Sequence, residues 1–178
     1  MMAAEPKFLL LDEPFSALDT YLKEKLMQEM MTYLNQFKKG VIMVSHSRDE
    51  VYQMCTDTAI MHQGILETVG KTKEIFDNPG TVNAARLTGC KNISKAEKLS
   101  ESEIYALEWD IKLTFPEYIK IPSNLTHVGI RAHEIRPVKF SDIDNNTSIK
   151  LNLVDCQLKR ISEAPFEMYL ILENKSGK

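Results

Sequence analysis

The chain has 178 residues, 43% of them hydrophobic and 26% charged, with a formal net charge of −3. That length allows one or two small domains, and the apolar share supports a packed core. The acidic balance argues against a nucleic-acid-binding surface, and no apolar run approaches the ~18 residues of a transmembrane helix.

No run is laid out like a secretory leader. A role at a membrane would therefore require docking on separate membrane subunits. Cys55, Cys90 and Cys156 are scattered without metal-ligand spacing, which suits a reducing compartment and buried or inert thiols. No internal repeat or low-complexity tract is evident.

The first element is the apolar run Phe8-Leu9-Leu10-Leu11. It predicts a strand buried on both faces of a parallel sheet. Asp12 and Glu13 follow at its carboxyl end, where open α/β sheets hold their ligands. One carboxylate there can hold a Mg²⁺ ion and its neighbour can activate a water. On the residues alone, Asp12-Glu13-Pro14 also suits a strand leaving its sheet through a polar turn.

Leu22, Leu26, Met30, Tyr33, Leu34 and Phe37 recur near helical spacing, so an amphipathic helix is expected, with Gly40 able to end it. Val41-Ile42-Met43-Val44 reads as a second strand, followed by Ser45 and His46. A strand–helix–strand unit is right-handed and parallel, so both strand ends lie on one edge of the sheet. His46 is thereby expected to face the same site as Glu13. A lone histidine after a strand is otherwise usually a surface or cap residue.

Two β-like runs then flank Gln63-Gly64 and read as a hairpin. A short helix over residues 72–76 stops before Asn78-Pro79, with Thr72 as its expected N-cap. Gly70-Lys71-Thr72 looks like the end of a phosphate-binding loop, but that loop needs a glycine where Ile65 stands. Leu99-Ser100-Glu101-Ser102-Glu103 carries two glutamates that would repel an anion, so it is no phosphate site.

A boundary falls near residues 80–92. Residues 81–87 suggest a helical turn or two. Short strand signals follow at residues 104–107, 111–115 and 128–131. Ile149, Leu151 and Leu153 alternate with polar residues, as do Phe166, Met168, Leu170 and Leu172, with a turn over 162–165 between them. Several short strands with regular turns suggest a small barrel.

Phe8-Leu9-Leu10-Leu11-Asp12-Glu13-Pro14 with Ser16-Ala17-Leu18-Asp19 resembles the Walker B segment and D-loop of ATP-binding-cassette (ABC) ATPases. Val44-Ser45-His46 with Ser47-Arg48-Asp49-Glu50-Val51 resembles their switch-histidine region. The hairpin, helix and Asn-Pro order resembles the end of that domain, with Thr58 departing from a commonly basic position. The resemblance implies an α/β fold: the C-terminal part of a P-loop ABC ATPase domain over residues 1–89. A small all-β oligonucleotide-binding-like (TOBE) barrel is implied over residues 90–178, and it is expected to be incomplete. The cofactors implied are ATP and Mg²⁺. Glu13 is the implied catalytic glutamate that polarises the attacking water. His46 is the implied γ-phosphate contact. Asp12 would order Mg²⁺ through water, and Ser16 and Asp19 would reach across a dimer interface.

His127-Val128-Gly129-Ile130-Arg131-Ala132-His133-Glu134-Ile135-Arg136 resembles the regulatory domain of importer ATPases, nearest to the molybdate/tungstate group. His127, Arg131, His133 and Arg136 could form an oxyanion site; paired with acidic neighbours such as Glu134 they would form only a barrel surface. The expected partners are a second ATPase subunit, transmembrane permease subunits and an oxyanion, with no nucleic acid. The expected location is cytoplasmic, at the inner face of the cell membrane. No P-loop, glutamine loop or signature motif occurs in the 178 residues, so the chain is expected to be the carboxyl-terminal part of a longer subunit. The alternatives are an oxyanion-binding regulatory module, which titration with molybdate and ATP would reveal, or a non-transport ABC-type ATPase.

Overall fold

The computed structural model describes residues 6–138 and 152–177. The chain divides into two compact units, Met1–Gly89 and Cys90–Lys178.

In the first unit, β1 (Phe8–Asp12) pairs in parallel with β2 (Gly40–Val44), in the register Phe8↔Gly40 through Asp12↔Val44. The crossover between them is α1 (Thr20–Gln36). Asp19 caps α1, its carboxylate accepting from Leu22 N–H at 3.0 Å, as short polar side chains do at helix starts. The helix stops four residues before Gly40, with Phe37 as its C-cap. Gly40 instead opens β2, where the Phe8 ring lies so close that a Cβ would meet it at 2.4 Å. The sequence expectation for Gly40 is corrected accordingly: a cross-strand aromatic ring, not a helix end, calls for glycine.

The two faces of the β1–β2 pair differ. Leu9, Leu11, Val41 and Met43 are buried or half-buried. Phe8, Leu10, Ile42 and Val44 share the other face and are exposed at 48, 68, 51 and 51%. Parallel strands are normally covered on both sides; here one side is open.

The rest of this unit is a hairpin, β3 (Asp57–His62) and β4 (Ile65–Lys71), with α2 (Arg48–Met54), α3 (Thr72–Asp77) and α4 (Val82–Leu87). Gln63 and Gly64 both have positive φ, 49° and 78°, the backbone that two-residue hairpin loops require. Ile60, Ile75 and Ala84 form the local core. Thr72 is not the N-cap of α3; Lys71 holds that place without a side-chain bond. Thr72 is buried, and its hydroxyl pairs with that of Thr58 at 2.7 Å. Two hydroxyls that satisfy each other remove the cost of burying either alone.

The second unit holds β5 (Asn92–Lys98), β6 (Glu103–Ala106), β7 (Ile111–Thr114) and β8 (His127–Ile130) in one antiparallel sheet of order β7-β6-β5-β8. Ile104, Ala96 and Ile121 form its core, with Leu113, Phe115, Leu125 and Val128 packed against them. The central strand β5 went unread in the sequence because its buried positions are Ser94 and Ala96, too small and polar to signal a strand. Ser94 is satisfied by the Glu108 carboxylate, to which its hydroxyl donates at 2.7 Å.

The last hairpin pairs β9 (Cys156–Glu163) with β10 (Met168–Asn174). This corrects the expected strand near Leu153. Residues 149–151 lie outside the described residues, and 152–155 are not strand. Asn152 instead makes a strand-like pair with Thr114, accepting from its N–H at 2.7 Å and donating to its C=O at 2.9 Å. Phe166 stands fully exposed at the hairpin tip rather than in β10. Among the described residues the strands form an open sheet and a hairpin, not a closed barrel. Cys90 is buried, Cys55 half-buried and Cys156 exposed, so inertness by burial does not extend to Cys156.

Candidate functional site

Parallel pairing of β1 and β2 brings two strand ends to one edge. Asp12 lies opposite Val44, and the ladder runs one step further through Glu13 N–H to Val44 C=O at 2.9 Å. Glu13 then takes a left-handed backbone, φ 43°, which costs a non-glycine residue roughly 1–2 kcal/mol. That turn ends the strand. The Nε2 of His46 lies 3.0 Å from Glu13 Oε1. The imidazole is 88% exposed and the carboxylate 40%, so both face outward together.

The loop after Glu13 is held locally. Ser16 donates from both N–H and hydroxyl to the Glu13 carbonyl, at 3.2 and 3.1 Å. Phe15 is buried beneath it. Asp19 is occupied as the α1 cap. Asp12 closes β1 on the face of Phe8 and Leu10, with an exposed side chain. An open cleft of about 280 Å³ is lined by Glu13, Ser16, Lys23, Ser45, His46 and Glu50, among others.

Of the sequence-derived candidates, Glu13 and His46 meet, Ser16 braces the backbone of Glu13, and Asp12 and Asp19 stand at either end of the turn. Lys23 and Glu50 were not among them. Glu50 is 4% exposed, and Lys23 Nζ reaches its carboxylate at 2.5 Å. The Ser45 hydroxyl also donates to Glu50. The pattern Ser47-x-x-Glu50 is the sequence signal that could have found this carboxylate, since it spells a capping box. Ser47 does cap α2, accepting from Glu50 N–H. The Lys23 partner is remote in sequence and gave no signal.

Burial pushes the Glu50 carboxyl up, but hydrogen bonds from Lys23, Ser45 and Ser47 and the Lys23 charge outweigh it, leaving its pKa below the ordinary value of 4.5. A carboxyl held low in the folded state adds stability above its unfolded pKa, and that stability is lost as pH falls through the folded value. Acidification below about pH 4.5 is therefore expected to weaken residues 1–89, with a shallower pH slope in Glu50→Gln. Denaturant unfolding followed by hydrogen exchange across this pH range measures it; equal slopes would refute it.

Among the described residues, no group of three or more His, Cys, Asp and Glu side chains could hold a metal ion. A Mg²⁺ ion that keeps water and phosphate ligands needs only one or two carboxylates, and exposed Asp12 fits that requirement. In the second unit, the Glu134 carboxylate accepts from the Arg131 backbone N–H at 3.0 Å. His133 and Arg136 are exposed. His127 Nδ1 lies 3.0 Å from the Thr126 hydroxyl. This places an acid within the basic cluster.

No protein-family model matches the chain. It is 33% identical over 113 residues to the spermidine/putrescine import ATP-binding protein PotA of Mycoplasmopsis synoviae, covering 64% of this chain and 25% of that protein. It is 32% identical over 151 residues to the sulfate/thiosulfate import ATP-binding protein CysA of Mesostigma viride, covering 84% and 41%. It is 32% identical over 144 residues to the molybdate/tungstate import ATP-binding protein WtpC of Pyrococcus abyssi, covering 79% and 40%. The chain thus spans 25 to 41% of the length of these curated relatives. Among solved structures it is similar to cbiO1 from Clostridium perfringens, described as part of the ABC transporter complex cbiONQ, with TM-score 0.40 and 27% identity over 48% of this chain and 34% of that one.

Proposed function

We infer that the chain belongs to the ATP-binding subunits of ABC importers and carries the water-activating part of their ATPase site. The observation that carries this reading is the approach of His46 to Glu13 at the carboxyl ends of two parallel strands. Glu13 serves as the general base, taking the proton of the attacking water. His46 donates a hydrogen bond to the transferring phosphoryl group and holds the base in line. Such positioning and charge stabilisation supply most of phosphoryl-transfer catalysis. Asp12 would hold Mg²⁺, which supplies neutralisation of phosphate charge when bound. Ser16 and Asp19, at the ends of an exposed turn, face a second ATPase subunit, and the pair works on permease subunits at the inner face of the membrane. Among the described residues no helix is long and apolar enough to cross a membrane.

The proposed cargo is a small oxyanion. The sulfate and molybdate relatives align over 151 and 144 residues, and the polyamine relative over 113; likeness over the longer stretch supports the oxyanion reading. The second unit is read as a TOBE-like regulatory domain on its short antiparallel strands. Deleting the gene is expected to abolish ATP-dependent uptake of labelled molybdate or sulfate, restored by the parent gene; unchanged uptake of both would refute the cargo.

The 178 residues contain no Gly-x-x-x-x-Gly-Lys-Ser/Thr loop, whose backbone amides and lysine hold nucleotide phosphates. The purified chain alone is therefore expected to bind ATP weakly or not at all. Calorimetry checks this, and micromolar affinity would contradict it.

A further inference from the structure

We propose that Lys23 and Glu50 are positioning residues whose ion pair, buried on the Glu50 side, with Ser45 and Ser47, fixes the turn that holds His46 against Glu13. The inference rests on the reading of Glu13 and His46 as the hydrolytic pair and names what sets their contact.

The imidazole of His46 is 88% exposed, so burial does not orient it; the turn that carries it must. Both of its neighbours are held. Ser45 donates its hydroxyl to Glu50, and the Ser47 N–H donates to the Ser45 hydroxyl at 3.0 Å. Lys23 Nζ donates to the Ser47 hydroxyl at 3.4 Å as well as to Glu50. The side chains of Lys23, Ser45, Ser47 and Glu50 thus clamp the turn on either side of His46.

A plain capping role for Glu50 is a different geometry. In a capping box the N3 glutamate returns to the N-cap N–H. Here Ser45 satisfies the Ser47 N–H, which releases the Glu50 carboxylate to face Lys23. Lys23 lies one turn into α1, its own N–H bonded to the Asp19 carbonyl at 2.9 Å. The clamp therefore ties the His46 turn to the helix that starts immediately after the exposed loop of residues 16–19. A buried carboxylate is retained at a cost unless it is paired, and Lys23 is the charged partner that Glu50 has.

The test is a spectroscopic double-mutant cycle on the 178-residue chain, reading the His46 ring nitrogens by ¹H–¹⁵N NMR. Glu13→Gln is expected to displace these signals in the parent. In Glu50→Gln and in Lys23→Met that displacement is expected to shrink by about half or more, because coupling through a shared contact is lost. Lys23→Arg, which keeps the ion pair, should restore it. The methyl signals of Ile60 and Ile75 should stay in place and show that the unit is folded. Should Lys23→Met fail to fold, near-isosteric Glu50→Gln decides the matter. An undiminished Glu13→Gln displacement in Glu50→Gln overturns the proposal, as does no displacement in the parent. ATP turnover is read separately in the native complex. A spectroscopic cycle that behaves as expected beside unaffected turnover in Glu13→Gln would sink the hydrolytic reading and leave the clamp standing.

Discussion

Glu13→Gln is expected to lower ATP turnover of the native complex by about 10²–10⁴, the usual loss when a general base is removed. Glutamine keeps the size and the hydrogen bond but cannot take the water proton. The Michaelis constant for ATP should change little, because the proposed role of Glu13 is to act on the reacting water rather than to bind nucleotide. That pattern, a fall in kcat without a matching rise in KM, marks an interaction made only in the transition state. His46→Ala should also impair turnover, since the 3.0 Å contact with Glu13 is lost. Steady-state phosphate release measured on complexes purified from the edited strain checks both. Full-rate turnover in Glu13→Gln would show that the site is misassigned.

The second large effect is on stability. Ile104 is 1% exposed and sits at the centre of the core of the second unit with Ala96 and Ile121. Ile104→Ala removes three carbons and leaves a cavity that β5 and β6 cannot close, because the β-ladder fixes their spacing. The expected loss is about 3 kcal/mol. Trp109, the single tryptophan, follows β6, and its carbonyl accepts from Asn174 of β10. Its fluorescence serves as the probe of unfolding in this unit. Denaturant titration of Ile104→Ala should show an earlier transition by this probe. A midpoint equal to the parent's would mean that the core described here does not carry the unit.

The meeting of Glu13 and His46 was legible in the sequence because each strand end announces itself locally. Leu9 to Leu11 run into Asp12 and Glu13, and Val41 to Val44 run into His46. Strand–helix–strand handedness then places the two ends together without long-range information. What was not legible depends on partners far apart in the chain. Lys23 looks like an ordinary surface charge, and Glu50 like the last member of a capping box, until α1 and α2 bring them together. Thr72 looks like a cap until Thr58 lies beside it. Strand β5 is invisible because Ser94 and Ala96 bury no large side chain, and their burial is set by β6 and β8 on either side. In the last hairpin, alternation pointed to residues 149–153. Residues 149–151 lie outside the described residues; the strand paired with β10 is Cys156–Glu163, where apolar and polar residues alternate less cleanly and pairing decides.

The open face of the β1–β2 pair makes the stability of the first unit a matter of mass action. Phe8, Leu10, Ile42 and Val44 are about half or more exposed, so a surface shaped to that paired face would bind the folded form in preference to the unfolded one. Such a partner adds free energy in proportion to the logarithm of its concentration, about 2.7 kcal/mol at ~100 times its dissociation constant. The strands that carry the bare face are the same ones that end in Glu13 and His46. A partner seated on that face would therefore raise the melting point of this unit as its concentration rises.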